Sequence, residues 1–117
     1  MAKKTPTLRD KRIIFWDEFT DDKMMELDIT VPRDHRAFLE MLETYKSFRF
    51  VGSDGTSCSV VKELRPQFGD KENLKPVWYA HRRLGGKLRR RYIGKPENLT
   101  HKKLKAVAFE LSQRELI

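Results

Sequence analysis

Cysteine is the scarcest chemistry in this chain: Cys58 stands alone among 117 residues, so no internal disulfide can form. No apolar run approaches the roughly 20 residues of a membrane-spanning helix, and no positive-then-apolar leader stands at the N-terminus. These absences predict a cytoplasmic protein. Three scattered histidines, His35, His81 and His101, and one thiol give no spacing that would ligate zinc. There is no Gly-rich phosphate loop, nucleophile elbow or His-Glu zinc helix, so neither an enzyme nor a cofactor is expected. The acidic group Asp17, Glu18, Asp21 and Asp22 lacks a lysine or histidine at a supporting spacing. It reads as a solvated helix start rather than a nuclease metal site. Length also excludes two catalytic domains, since a chain this short builds one modest core.

Charge and aromatic residues are plentiful. Lys and Arg number 25 against 17 Asp and Glu, a formal net charge of +8, and 7 Phe, 3 Tyr and 2 Trp are too many for a disordered chain. The excess is local. Residues 1–80 carry 14 basic and 14 acidic side chains, whereas residues 81–105 carry 10 basic side chains and only Glu97. Such a concentration makes a directed positive potential suited to a polyanion.

Residues 1–12 hold five basic side chains and no apolar periodicity, and read as a flexible basic arm. Residues 13–117 read as a single α+β domain. Ile13-Ile14-Phe15-Trp16 opens it as either a strand or the start of a helix continuing through Phe19, Met24, Met25 and Leu27. Phe38, Met41, Leu42 and Tyr45 fall at helical spacing after Pro32, which predicts a helix over about 33–46. Residues 47–51 and 58–64 read as two strands joined by a turn at Gly52-Ser53-Asp54-Gly55. Residues 65–73, with Pro66 and Gly69, read as a surface loop. Cys58 is expected to be a small core side chain.

The strongest local signal is a hairpin over 77–93, where Gly85-Gly86 separates two β-rich runs, because the tight turn needs the positive φ that glycine adopts freely. Its register sets Leu84 opposite Lys87, Arg82 opposite Arg89, Ala80 opposite Arg91, Tyr79 opposite Tyr92 and Trp78 opposite Ile93. One face then carries Val77, Tyr79, His81, Leu88 and Tyr92, with Arg83 and Arg90 near the tip, and is assigned to the core. The other, with Trp78, Ala80, Arg82, Lys87, Arg89, Arg91 and Ile93, is assigned to a binding partner. A C-terminal helix over 100–114 follows, with Thr100 as N-cap and Leu99 and Leu104 as a hydrophobic staple. Its first turn, His101-Lys102-Lys103, places positive charge where the helix dipole disfavours it, so a bound phosphate would be stabilising there. The expected fold is α+β: a small three- to four-stranded antiparallel sheet, a helix before it, and the C-terminal helix packed on one face.

Phe38-Leu39-Glu40-Met41-Leu42, Ser47-Phe48-Arg49-Phe50, Val60-Val61-Lys62-Glu63, Trp78-Tyr79-Ala80-His81-Arg82, Gly86-Lys87-Leu88, Arg91-Tyr92-Ile93-Gly94-Lys95 and Asn98-Leu99-Thr100 together resemble a small bacterial module. It resembles the N-terminal segment of some large LuxR-type ATPase regulators and similar stand-alone bacterial proteins, over about 33–112, with His81 where a tyrosine is expected. This resemblance brings neither a settled activity nor a catalytic residue. A second likeness, to the arm-type DNA-binding domain of phage integrases, is architectural. It implies a basic sheet face presented to the major groove.

The resulting expectation is a non-enzymatic nucleic-acid-binding module of a regulatory or mobile-element system, with duplex DNA bound through the basic β-hairpin and RNA as a variant. Arg82, Arg83, Lys87, Arg89, Arg90 and Arg91 would contact phosphates or base edges, and Lys95, His101, Lys102 and Lys103 would clamp the backbone. Trp78 is a stacking candidate. The rival is a protein-interaction adaptor or small inhibitor whose basic hairpin docks on an acidic protein surface or a nucleoprotein complex.

Overall fold

A computed structural model describes residues 5–16, 24–67 and 70–113. In chain order the elements are β1 (Thr7–Arg9), β2 (Arg12–Trp16), β3 (Met24–Asp28), α1 (Pro32–Met41), β4 (Ser47–Val51), β5 (Ser57–Gln67), β6 (Asp70–Leu84), β7 (Lys87–Gly94) and α2 (His101–Ser112). The strands form one seven-stranded sheet in the order β3-β2-β1-β4-β5-β6-β7. Two antiparallel meanders, β1 to β3 and β4 to β7, join where β1 and β4 pair in parallel. Parallel pairing requires a crossover, and α1 supplies it between β3 and β4.

The small antiparallel sheet of three or four strands is therefore corrected to a mixed seven-stranded one. The three added strands are β1, β2 and β3: Ile13–Trp16 takes the strand alternative within β2, Met24, Met25 and Leu27 lie in β3 and not in a helix, and two further stretches depart from the expectation. Thr7–Arg9 lies in the presumed arm, yet it forms β1, between β2 and β4. Its three residues are too few to show a period, with Leu8 the only apolar side chain among them. Residues 65–73, expected as a surface loop, lie mostly in β5 and β6. From Lys62 and Trp78 outward these two strands continue past their neighbours, because β4 pairs with β5 only as far as Val61 and β7 pairs with β6 only as far as Trp78. They form a two-stranded ribbon in which Pro66 faces Leu74 and Leu64 faces Pro76. Proline is tolerated there because the outer edge of each strand has no ladder to complete. The acidic group Asp17, Glu18, Asp21 and Asp22 lies outside the described residues.

The core follows the period of two. Leu27, Ile13, Leu8, Phe50 and Cys58 lie opposite one another across five strands, and Phe48, Val60 and Ala80 make the next row. All eight are buried. Phe38 of α1 meets Phe48 edge-on at 5.5 Å between ring centroids, and Phe48 lies 5.8 Å from Trp78. Leu104, Val107, Ala108 and Leu111 of α2 complete the same cluster, so both helices cover one face of the sheet. The first helix is shorter than expected, ending at Met41, and Lys62 Nζ donates to the Leu42 carbonyl at 2.9 Å just past its end.

Thr100 caps α2, its side chain accepting from the Lys103 amide, and Leu99 and Leu104 are both fully buried as the staple requires. The unfavourable charge on the first turn is answered from within the fold. Asp10, in the turn between β1 and β2, accepts from His101 Nε2 at 2.8 Å, bringing a carboxylate to the N-terminal end of α2.

Candidate functional site

The hairpin of β6 and β7 has the expected register from Leu84–Lys87 to Tyr79–Tyr92, and Gly85 and Gly86 have φ of 60° and 81°. A bulge then sets Trp78 opposite Gly94 instead of Ile93. The assignment of its faces is reversed. Trp78, Ala80 and Ile93 are buried beneath the helices, with Trp78 1% exposed, whereas on the face assigned to the core Tyr92 is 56% exposed and Leu88 55%, and Tyr79 alone is buried, at 8%. The three apolar side chains fix the phase, and Arg82, Arg89 and Arg91, which share their parity, are carried to the helix side as a consequence.

Those arginines bond protein groups with their guanidinium heads. Arg82 Nη1 donates to the Ser57 carbonyl at 2.8 Å and contacts Ser57 Oγ at 3.3 Å. Arg89 donates to the Leu111 carbonyl at 3.4 Å and to that of Gln113, where α2 ends. The last turn of α2 has no basic residue of its own, so Arg89 supplies the cation that its carbonyls favour. Arg91 pairs with Glu110 of the same helix at 2.9 Å. Trp78, the stacking candidate, is in the core, and His101 is engaged by Asp10. The side chains of Arg83, Lys87, Lys95, Lys102 and Lys103 are exposed and have no partner among the described residues.

The helix-free face holds a different set. Arg49, Ser59, His81 and Arg90 form one row across β4 to β7, and Val61, Tyr79 and Tyr92 form the next. Tyr79 and Tyr92 meet edge-on at 5.2 Å. The Arg90 guanidinium lies 3.9 Å from the Tyr79 ring centroid and that of Arg65 lies 5.1 Å away, both within cation–π range. Glu63 receives Arg90 and Arg65 in ion pairs and is the one carboxylate among the described residues on this half of the face, which also carries Arg49, Lys75 and Arg83. Beyond β4 the same face continues through Arg9 and Arg12, the latter paired with Glu26 at 3.6 Å.

The His81 ring is shielded by the surrounding strands and faces Arg90, and these two effects hold its pKa below the ordinary histidine value, against a smaller upward pull from Glu63. On the covered side, burial pushes the Cys58 thiol up to about 11, which leaves it protonated and a poor nucleophile.

Arg9, Arg49, Arg65, Lys75, Tyr79 and Tyr92 were absent from the expected set of binding residues. The alternation Phe48-Arg49-Phe50 and Cys58-Ser59-Val60 does contain the signal, because fixing Phe48, Phe50, Cys58 and Val60 inside turns Arg49 and Ser59 outward. Among the described residues, no group of three or more His, Cys, Asp or Glu is placed to hold a metal ion, and no helix is long and apolar enough to cross a membrane. Comparison of the chain with protein-family models, curated proteins and solved structures gives no match.

Proposed function

We propose that the chain is a nucleic-acid-binding module that lays a single strand across the helix-free face of its sheet. The observation that carries this reading is the composition of that face: Arg49, Arg65, Lys75, Arg83 and Arg90 around the exposed ring of Tyr92, which packs on the buried Tyr79, with Glu63 as the opposing carboxylate. A cationic track beside an exposed aromatic ring suits a flexible polyanion with exposed bases. Width favours a single strand over the duplex first expected. Seven strands span about 29 Å at a spacing of about 4.8 Å, against a major groove about 12 Å wide. Nor is the β6–β7 hairpin a free ribbon, since β5 borders it on one edge and the end of α2 is bound to Arg89.

The test is fluorescence anisotropy with a short single-stranded DNA, the matching RNA and the DNA duplex, titrated from low to physiological salt. Wild type is compared with Arg65→Ala/Arg90→Ala on the open face and Arg89→Ala/Arg91→Ala on the helix side. The single strands are expected to bind more tightly than the duplex. The open-face variant should lower the slope of log affinity against log salt by about 1.4, at about 0.7 for each phosphate that is no longer neutralised on a single strand. The helix-side variant should leave that slope unchanged. The reverse pattern, or no binding to any of the three, overturns the reading and directs attention to an acidic protein surface.

A further inference from the structure

At the end of the sheet where β5 begins and β6 runs into its turn, a cavity of about 500 Å³ opens beside the hairpin. Arg49, Arg82, Arg83, His81, Ser57 and Ser59 line it. Three guanidinium-bearing residues, two hydroxyls and an imidazole meet there with no carboxylate in the wall. Arg82 is already held by the Ser57 carbonyl, so its place in that wall is fixed before any ligand arrives. Leu88, largely exposed, adds an apolar surface at the same cavity.

A second observation comes from the hydrogen bonds. Three buried side-chain nitrogens have no partner among the described residues: Trp78 Nε1 in the core, and His81 Nε2 and Arg82 Nε in residues of this wall. Buried polar atoms are ordinarily paired, and unpaired ones that cluster beside a cationic cavity mark unused bonding capacity. Both residues line the cavity while these two atoms are closed to solvent, so the exposed Arg49 and Arg83 make the first contact and side-chain adjustment brings in the others.

We propose that this cavity binds the phosphomonoester of a nucleotide, presented at the end of the strand that crosses the open face. The inference rests on the nucleic-acid reading above and adds to it a preference for a phosphorylated terminus. A terminal phosphate carries a charge of about −1.5 to −2 at neutral pH and three acceptor oxygens, whereas a diester linkage within the chain carries one charge. Three arginines without a counter-carboxylate match the dianion better than the diester. Shape points the same way. An internal phosphate is tethered on both sides and runs along a surface, while an end enters a recess, and the volume lies within the range of small-ligand sites, about 300–1,000 Å³. The hydroxyls of Ser57 and Ser59 then serve the phosphate or sugar, and His81 and Leu88 flank the base. A free mononucleotide offers the same chemistry, so the two sources must be separated by experiment.

The experiment uses the full chain and a single-stranded oligonucleotide with a 5′-phosphate, a 3′-phosphate or two hydroxyl ends, with adenosine monophosphate and inorganic phosphate as competitors. Variants are Arg49→Ala/Arg83→Ala, both exposed and replaceable without loss of packing, and Tyr92→Ala, outside the cavity. One phosphorylated end is expected to bind about tenfold more tightly than the hydroxyl-ended strand, the equivalent of one net charge-assisted hydrogen bond. Arg49→Ala/Arg83→Ala should abolish that difference, and Tyr92→Ala should weaken every oligonucleotide while preserving it. Equal affinity for all three ends overturns the end-binding proposal and leaves the open-face reading standing. Binding of adenosine monophosphate without binding of any oligonucleotide confirms the phosphomonoester site and overturns the strand reading. Binding of none of these overturns both.

Discussion

The two faces of one hairpin use the same residue type in opposite ways. On the helix side, Arg82, Arg89 and Arg91 are committed to the Ser57 carbonyl, the carbonyls that end α2, and Glu110. On the open side, Arg83 has no partner among the described residues, while Arg90 lies on a tyrosine ring and shares Glu63 with Arg65. A basic run in a strand is thus two populations divided by parity. On the helix side Arg89 and Arg91 join α2 to the sheet and Arg82 ties β6 to β5, whereas on the open side Arg83 is unpaired among the described residues and Arg90 shares one carboxylate with Arg65. Net charge cannot separate them, whereas the phase of Trp78, Ala80 and Ile93 can.

The largest effect that sharpens this contrast concerns aromatic residues on the two faces. Trp78→Ala removes a fully buried ring that packs on Phe48 and should cost about 3–5 kcal/mol. Tyr92→Ala removes a ring that is more than half exposed and should cost at most about 1 kcal/mol, mostly its packing on Tyr79. Urea denaturation of the two variants checks the difference. Equal losses would mean that the open face is also a structural interior.

A smaller effect separates the arginines. Arg89→Ala leaves the carbonyls at the end of α2 without their cation and should lower stability by about 1 kcal/mol. Arg83→Ala, on the other parity, should change it by less than about 0.5 kcal/mol. Thermal melts at matched salt distinguish them. If Arg83→Ala proves the costlier of the two, the division by parity fails.

How much of this was legible in the sequence depends on the length and regularity of each signal. Gly85-Gly86 fixed the tight turn and most of the hairpin register, and Leu99, Thr100 and Leu104 marked the start of α2, because each rests on local stereochemistry. The choice of hairpin face failed because two tyrosines and a histidine looked more like core than did a tryptophan among arginines. The Arg89 and Arg91 contacts with α2 that reconcile Trp78 with its neighbours are long-range. Thr7–Arg9 was hidden for another reason. A three-residue strand has no period, and its place is set by pairing with Ile13 and Phe50, the second of which lies across a crossover. Pro66 misled in the ribbon, since a residue that breaks an interior strand is harmless on a two-stranded one. The cavity combines residues from β4, β5, β6 and β7, so its cluster of Arg49, Arg82 and Arg83 was invisible until strand order was known.

The smallest expected effect lies in the pH dependence of His81, which joins the open face to the cavity. Burial and Arg90 hold its pKa in the folded protein below the 6.5 of an ordinary histidine. The unfolded chain therefore binds more protons at this site through that window, and stability must rise with pH. The contribution is fully present above about pH 6.5 and is lost as pH falls through the folded value. This window is separate from that of Asp28 and Asp54, whose carboxyls are held below the ordinary aspartate value by Thr30 and Thr56. Because His81 is partly exposed, solvent screens the effect and the change in melting temperature should be slight. A proton NMR titration resolves it more directly. The His81 ring should titrate below an ordinary histidine, and Arg90→Ala should move its midpoint up by removing a neighbouring positive charge. A bound phosphomonoester should move it up further, because an anion in the cavity favours the imidazolium. A midpoint indifferent to Arg90→Ala would show that the ring does not sense the cations of the open face, and indifference to the nucleotide would place the phosphate elsewhere.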